Sequence, residues 1–516
     1  MGEQEPRADV PAALRRHPTA IWFFFWGEFA ERASFYGMRA ILPLYLTSVL
    51  HYSDADGGTY YYLFKMMAYL LPLLGGILAD RWFGRYWTIV GFSIPYVAGH
   101  FVLGIEDKFW CMVALFALLA PGTGVIKPNI SSLLGETYDQ QRPGQDALRI
   151  SGFQYFYFAI NVGALISMAA VPFIRDKSGY AIAFQFPAWL MVGALAIFAA
   201  GKPFYAKGVR GRVKTAAQRQ EENATLALFF AILCGLAGPL LVKEFVSRET
   251  YVISQIALAV ASIALLILAW RLFSPEMRAT LARLFGVFGL ISLWWVAYEH
   301  NDSIWVFFAR DYMSHTETAF TMPDWLPGWL GGGTRYEPKA DAYQFVNSLF
   351  VLIFIPLFNF VFRLLDPDAK TFTAVRRVLI GLFVSAVAPG LMLVAAQRTQ
   401  GGTVLVSAYW LIAAYIVLTA GEVLVYGTML DLSYSAAPKS MKGFITACFL
   451  LTNTLGNLIN SFLSRLYGGS LKDAPEARGP LGTVEFFAMT TGIVVVTGVA
   501  FYFVGRRFER GQSATA

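Results

Sequence analysis

An all-α integral membrane protein is the fold class this sequence predicts, and three observations predict it. The 516 residues are 56% hydrophobic and only 15% charged, with 44 Phe, 25 Tyr and 13 Trp. A soluble protein carries about 25% charged residues, because water must wet its surface. Mean hydropathy is +0.52. The apolar residues come in long runs of about 20, the number a helix needs to cross the hydrocarbon core, and not in the short alternating segments of a membrane barrel. Cys111, Cys234 and Cys448 all lie in apolar stretches and offer neither a disulfide framework nor a CxxC metal site.

Counted by length and hydropathy, fourteen spans are expected: 18–50, 57–79, 84–105, 108–134, 147–174, 179–201, 223–243, 250–272, 280–310, 341–364, 373–397, 403–436, 440–466 and 481–505. The first is too long for a cleavable signal and contains Glu28, Glu31 and Arg32. Of the 41 Lys and Arg, 25 fall in segments on the side of the N-terminus, 12 on the opposite side and four inside spans. The positive-inside rule places both termini in the cytoplasm, as an even number of spans requires. The net charge of +7 therefore reports membrane orientation and not nucleic-acid binding. The most basic stretch, 202–222, holds Lys202, Lys207, Arg210, Arg212, Lys214 and Arg219 and reads as a cytoplasmic linker.

The four cations inside spans are Arg32, Arg39, Lys65 and Lys127, and they are matched by Glu28, Glu31, Glu299 and Glu422. A charge within the bilayer costs at least about 2.5 kcal/mol, so it faces a polar cavity and a partner. These eight residues predict a solvated central cavity; a structural lock between helices is the alternative.

In the first span, Glu28, Arg32, Tyr36 and Arg39 recur at helical spacing, and Glu28–Arg32 is a favourable i,i+4 pair. In the second, Lys65 lies 15 residues before Asp80, roughly 22 Å from the inner end. There it either snorkels outward or lines the cavity, with Tyr62 and Tyr69 on neighbouring turns. The run Gly75-Gly76-Ile-Leu-Ala79-Asp80 lets helices approach closely, and its charged end reads as a state-locking loop. In the fourth span Pro128 predicts a kink beside Lys127. In the fifth, Tyr157 and Asn161 share a face. The ninth runs Trp294-Trp295-Val-Ala-Tyr298-Glu299-His300-Asn301-Asp302. His300 is either a proton carrier or a satisfied buried histidine. Neither a GxxxxGK[ST] loop, a nucleophile–base pair nor HExxH is present, so an ATP motor and an enzyme are both disfavoured, and no cofactor or metal is expected.

Several of these segments, in order, resemble the proton-dependent oligopeptide transporter family of the major facilitator superfamily. Glu28-x-x-Glu31-Arg32-x-x-Phe35-Tyr36-Gly37 is similar to the family's first signature, and Phe156-Tyr157-x-x-Ile160-Asn161-x-Gly163-Ala164-Leu165 to its second. Gly75-Gly76-x-x-Ala79-Asp80-x-x-x-Gly84-Arg85 resembles the superfamily loop, and 341–357 and 421–443 resemble the branch with animal peptide transporters.

The resemblance implies a major facilitator fold of two six-helix bundles, at 1–201 and 273–516, joined by the linker 202–222 and two additional helices in 223–272. It implies that Arg39 and Lys127 lie near a peptide carboxylate and that Asn161, Asn347 and Glu422 lie near its amino terminus. Tyr36, Tyr69 and Trp295 complete the substrate-binding set. The resemblance also implies that Glu28, Glu31, Arg32 and Glu299 take part in proton coupling or in intramembrane salt bridges, with Glu299 expected to pair across the cleft with Arg39 or Lys127. Lys65 and Tyr426 depart from the family pattern and are the candidates for specificity. The expected activity is proton-coupled symport of di- and tripeptides across the plasma membrane, in a bacterium the inner membrane. The alternative is a carrier on the same scaffold for a drug-like zwitterion, an organic anion or a modified amino acid. Partners are the small peptide, protons and the lipid bilayer.

This topology makes a labelling prediction. Tags at both termini and within 202–222 will be protected in right-side-out cells, while a cysteine placed in 325–340 will be labelled from outside. External labelling of 202–222 would overturn the orientation.

Overall fold

The computed structural model describes residues 16–207, 215–237, 248–328, 332–366, 371–435 and 442–513. Arg210, Arg212 and Lys214 of the basic stretch and residues 238–243 of the seventh expected span lie outside these. The chain folds as a set of long helices: α1 (Ala20–Ser48), α2 (Asp54–Phe83), α3 (Arg85–Leu103), α4 (Lys108–Gln141), α5 (Asp146–Ala200), α6 (Ala216–Ile232), α7 (Arg248–Leu272), α8 (Pro275–Tyr312), α9 (Ala340–Leu365), α10 (Ala374–Arg398), α11 (Tyr409–Ser435), α12 (Lys442–Leu463) and α13 (Thr483–Ser513). The β-structure among the described residues is confined to two-residue strands. Phe320–Thr321 pairs antiparallel with Arg335–Tyr336, and Met313–Ser314 pairs parallel with Val406–Ser407.

Ten helices among the described residues are long and apolar enough to cross a bilayer, against the fourteen spans expected. The differences have physical causes. α1 carries four charges, Glu28, Glu31, Arg32 and Arg39, and α12 carries Asn453, Asn457 and Asn460. Both fall short on hydropathy alone because their polar residues face protein. α5 runs 55 residues through the fifth and sixth expected spans and breaks at Gly179, whose φ of 82° only glycine adopts without strain.

Close helix approach depends on small residues. A Cβ on Gly163 would lie 2.6 Å from the Phe29 carbonyl oxygen, so α5 packs directly on the backbone of α1. At Gly75 the same atom would lie 2.8 Å from Cα of Val125 on α4. Asn129 donates to the Gly75 carbonyl across that contact at 2.9 Å. The charged end of α2 is tied down as the sequence suggested: Arg85 pairs with Asp80 at 3.3 Å and Glu136 at 2.8 Å, and Arg81 reaches Glu222 on α6 at 2.8 Å.

α8 is interrupted where it matters most. His300–Asp302 form a 3-10 turn, and Ser303 leaves helical geometry at φ −138°. Irregular backbone at membrane depth is tolerated only when protein satisfies its polar groups. Here Asn460 donates to the Val296 carbonyl at 2.9 Å, Asn301 to that of Tyr298 at 2.5 Å and Tyr415 to that of Asn301 at 2.8 Å.

Residues 16–200 and 275–513 meet at the end of the helices away from residue 16. Arg310 forms a bidentate pair with Asp54 at 2.8 and 3.1 Å, Lys472 donates to the Thr47 carbonyl at 2.9 Å, and Arg175 pairs with Asp341. Gln344 donates to the Ala40 carbonyl at 3.0 Å. Among the described residues, the ion pairs that join these two parts run from mid-membrane to this end.

Gly163→Val is predicted to force α1 and α5 apart and cost about 1–3 kcal/mol. It will lower the unfolding temperature in detergent, while Gly193→Ala, where a Cβ meets nothing within 4 Å, will not. Equal melting of the two variants would contradict this packing.

Candidate functional site

A cavity of about 300 Å³ lies between the two parts of the chain. Eleven of the fourteen residues singled out from the sequence line it: Arg32, Tyr36, Arg39, Tyr69, Lys127, Asn161, Trp295, Glu299, Asn347, Glu422 and Tyr426. The volume falls in the range of small-molecule sites. Glu28, Glu31 and Lys65 are buried behind its wall at 1%, 2% and 1% exposure.

On the N-terminal side α1 supplies one face. Arg32 contacts both Glu28, at 3.1 Å, and Glu31, so the i,i+4 pair foreseen in the sequence forms and a second acid joins it. Arg39 stacks its guanidinium over the Tyr36 ring at 4.7 Å. Lys127 on α4 sits 5.0 Å from the centre of the Tyr69 ring. It has no ion-pair partner among the described residues. Its ammonium also lies within electrostatic reach of Glu28, Glu31, Arg32 and Arg39.

On the C-terminal side Glu422 of α11 accepts from Asn347 of α9 at 2.8 Å, and Asn347 also donates to Thr419 at 3.0 Å. Glu422 has no cationic partner among the described residues. Among the described residues, the cavity thus presents on one wall a cation and on the other an anion that make no direct ion pair.

Between them lies a bridge that the sequence did not reveal. The Lys65 ammonium contacts both Glu299 and Asp302, and Asp302 also pairs with Arg39 at 3.3 Å. Asn453 of α12 donates to the other Glu299 oxygen at 2.6 Å. The expectation that Glu299 pairs with Arg39 or Lys127 is corrected: its partner is Lys65, and Arg39 goes to Asp302. Glu299 and Asp302 are three residues apart and so share one face of α8, which turns both carboxylates toward Lys65. Lys65 neither snorkels nor lines the cavity, because the two carboxylates hold it inward. His300 packs against Tyr62 and Phe486 with ring centres 6.0 and 5.2 Å away, and neither ring nitrogen has a hydrogen-bond partner. Tyr157, Tyr298 and Asn453 also line the cavity, and Asp302 and Asn453 were not singled out from the sequence. Helical spacing from Glu299 and Glu422 marks Tyr298 only as a neighbour, and nothing local marks Asn453.

The family model described as the POT family matches residues 86–476. The chain belongs to the POT family. This is a family of membrane transporters and not of enzymes. The POT-family chain is 28% identical to mouse solute carrier family 15 member 2 over 74% of its own length and 50% of that protein's. It is 29% identical to human solute carrier family 15 member 1, over 72% and 51%, and 30% identical to peptide transporter family 1 of Drosophila melanogaster, over 67% and 43%. The chain therefore spans about half the length of these relatives. Its fold matches the crystal structure of the POT family transporter PepTSo with a TM-score of 0.75 and 26% identity, covering 96% of this chain and 99% of that one. A POT family transporter solved with a thioalcohol-conjugated peptide matches at a TM-score of 0.74 and 20% identity, over 95% and 97%.

Removing one partner of a buried ion pair strands the other charge and costs about 3–5 kcal/mol. Lys65→Met in this POT-family chain is predicted to lower the unfolding temperature in detergent sharply. Adding Glu299→Gln and Asp302→Asn to it will restore part of the loss. A Lys65→Met protein as stable as wild type would show that the bridge contributes nothing.

Proposed function

We propose that this chain is a proton-coupled symporter of di- and tripeptides that works by alternating access. The observation that carries the reading is the dipolar cavity: Lys127 without an ion-pair partner among the described residues on one side, Glu422 held by Asn347 on the other. A zwitterionic peptide offers a carboxylate to the first and an ammonium to the second, and so neutralises both buried charges at once. Arg39 stands beside Lys127's side of the cavity as a second cation, and Asn161 and Asn347 are suited to the peptide's amino end. Rings of Tyr36, Tyr69 and Trp295 give contact area without demanding one side chain. Family membership and the peptide transporters among its relatives support the same substrate class.

Coupling rests on the carboxylates behind the cavity wall. Protonating Glu31 or Glu28 would loosen Arg32, and protonating Glu299 would loosen Lys65, so that the bridge between the two parts could part. One proton entering at 100 mV contributes about 2.3 kcal/mol, sufficient for substantial accumulation. Closure at the end away from residue 16 fits a cytoplasm-facing state, with the bundles divided at 1–201 and 273–516. Two spans from α5 with one from each other helix would make the fourteen expected. The charge distribution supports a plasma-membrane protein, in a bacterium the inner membrane, with both termini inside.

The test is counterflow in liposomes reconstituted with the full chain and a panel of dipeptides. Saturable exchange of unlabelled for labelled dipeptide is expected. A carrier that exchanges amino acids or organic anions but no dipeptide would overturn the peptide reading. Lys127→Ala is predicted to weaken competition by free dipeptides by tenfold or more, about the worth of a charge-assisted hydrogen bond. A C-terminally amidated dipeptide will lose much less. Equal losses would make Lys127 structural.

A further inference from the structure

At the end away from residue 16, two adjacent residues from one part of the chain stop two helix ends of the other. α1 finishes at Ser48 and α2 begins at Asp54. The turn between them therefore leaves helix-terminal carbonyls on one side and helix-terminal N–H groups on the other. Lys472 donates from its ammonium to the Thr47 carbonyl at 2.9 Å. The carboxylate of Asp473 accepts from the Asp54 N–H at 2.7 Å. A helix carries partial negative charge at its C-terminal end and partial positive charge at its N-terminal end. The cation thus sits on the negative end of α1 and the anion on the positive end of α2, the order that the helix dipoles favour.

The connection between α12 and α13 is built to present this pair. Gly468 N–H donates to the Leu481 carbonyl at 2.7 Å and Leu481 N–H to that of Leu466 at 2.9 Å, which pins its two ends together. Between them, the Ser470 hydroxyl accepts from the N–H groups of Lys472 and Asp473 at 3.3 and 3.2 Å, and Arg478 donates to the Asp473 carbonyl at 2.9 Å. α8 anchors the same connection, through Asp311 accepting from Leu471 N–H at 3.1 Å and Tyr312 donating to the Gly469 carbonyl at 2.5 Å. These bonds stay within 275–513, whereas those of the Lys472 ammonium and the Asp473 carboxylate cross to 16–200.

Separating the two parts at this end breaks both contacts at once, because one rigid connection carries both charges. The partners that Lys472 and Asp473 use are backbone groups, so the clasp grips the helices themselves and is separate from the Arg310–Asp54 pair, which uses the Asp54 side chain. We propose that Lys472 and Asp473 form a latch, a paired clasp of charges on helix ends that weights the protein toward the cytoplasm-facing state. The inference rests on the alternating-access reading and adds to it an element that sets the balance of its two states. Loss of either charge removes one helix-end interaction from the closed side alone and moves the balance toward the outward-facing state.

The test is hydrogen–deuterium exchange of the full-length protein in lipid nanodiscs, read by mass spectrometry, because amide exchange reports opening segment by segment. Wild type is compared with Lys472→Met, Asp473→Ala and the double variant. Each single variant is expected to shift the balance about threefold and the double about tenfold, the scale of charge–dipole interactions at helix ends. Two changes should appear together: faster exchange in peptides covering 44–60, and slower exchange at the opposite end of the cavity, in peptides covering 128–141 of α4 and 426–432 of α11. The second change is one that a merely local tie would not produce. If the double variant does not fold, Asp473→Asn, which keeps size and an acceptor oxygen but removes the charge, should give the same reciprocal pattern. Faster exchange confined to 44–60, or no change in either region, overturns the latch. The measurement needs no substrate, so a wild type that exchanges no dipeptide overturns the peptide reading and leaves the latch to be decided by these outcomes alone.

Discussion

A charge within the hydrocarbon core must find a partner, and this requirement organises the protein. Arg39 and Lys65 on the N-terminal side meet Asp302 and Glu299 on the C-terminal side, with Asn453 taking the remaining Glu299 oxygen. Two cations and two carboxylates leave the bridge neutral, and only in that arrangement is its burial tolerable. The two carboxylates, three residues apart, share the face of α8 turned to α1 and α2, and the helix breaks just beyond them at Ser303. The freed carbonyls around the break are in turn taken by Asn460, Asn301 and Tyr415. Of the polar residues that dilute the hydropathy of α12, Asn460 serves a carbonyl beside the break, Asn453 serves Glu299, and Asn457 bonds Asn453.

With those charges paired, the ones left over define the cavity. Arg32 is committed to Glu28 and Glu31, whereas Lys127 and Glu422 lack ionic partners among the described residues. A ligand that carries both signs completes the set. On the proposed reading the bridge links closure to charge state: a proton on Asp302 would remove the ion pair that holds Arg39 and one of the two that hold Lys65, and a proton on Glu299 would remove the other. A packed interface of this kind is bistable and does not deform gradually. The pairs nearer the end away from residue 16, Arg310 with Asp54 and Arg175 with Asp341, extend the seal, and both of their carboxylates are fully buried.

Much of this was legible in the sequence because helices convert spacing into direction. The Glu28–Arg32 pair follows from i,i+4 spacing, and the residues lining the cavity were found as charges and rings inside apolar runs. What was not legible depends on contacts between distant segments. Lys65 and Glu299 are separated by 234 positions, and no local pattern says that one ends opposite the other. Asp302, three residues after Glu299, shares its helical face, but its partners Arg39 and Lys65 lie on other helices, far away in sequence. Arg175 and Arg310 read as loop charges counting toward orientation, yet both bind acids across the interface. α5 shows the converse: Gly179 marks the boundary between two expected spans, and there the backbone leaves helical geometry.

The central claim is that buried carboxylates carry the coupling proton, and Glu31→Gln tests it most directly, because it mimics the protonated acid permanently and leaves side-chain size unchanged. In liposomes with an imposed proton gradient, wild type should concentrate a labelled dipeptide and lose that ability with a protonophore. Glu31→Gln should fail to concentrate it yet still exchange it at equal concentrations, a process that needs no net proton movement. A Glu31→Gln protein that accumulates dipeptide on the gradient as wild type does would contradict the account.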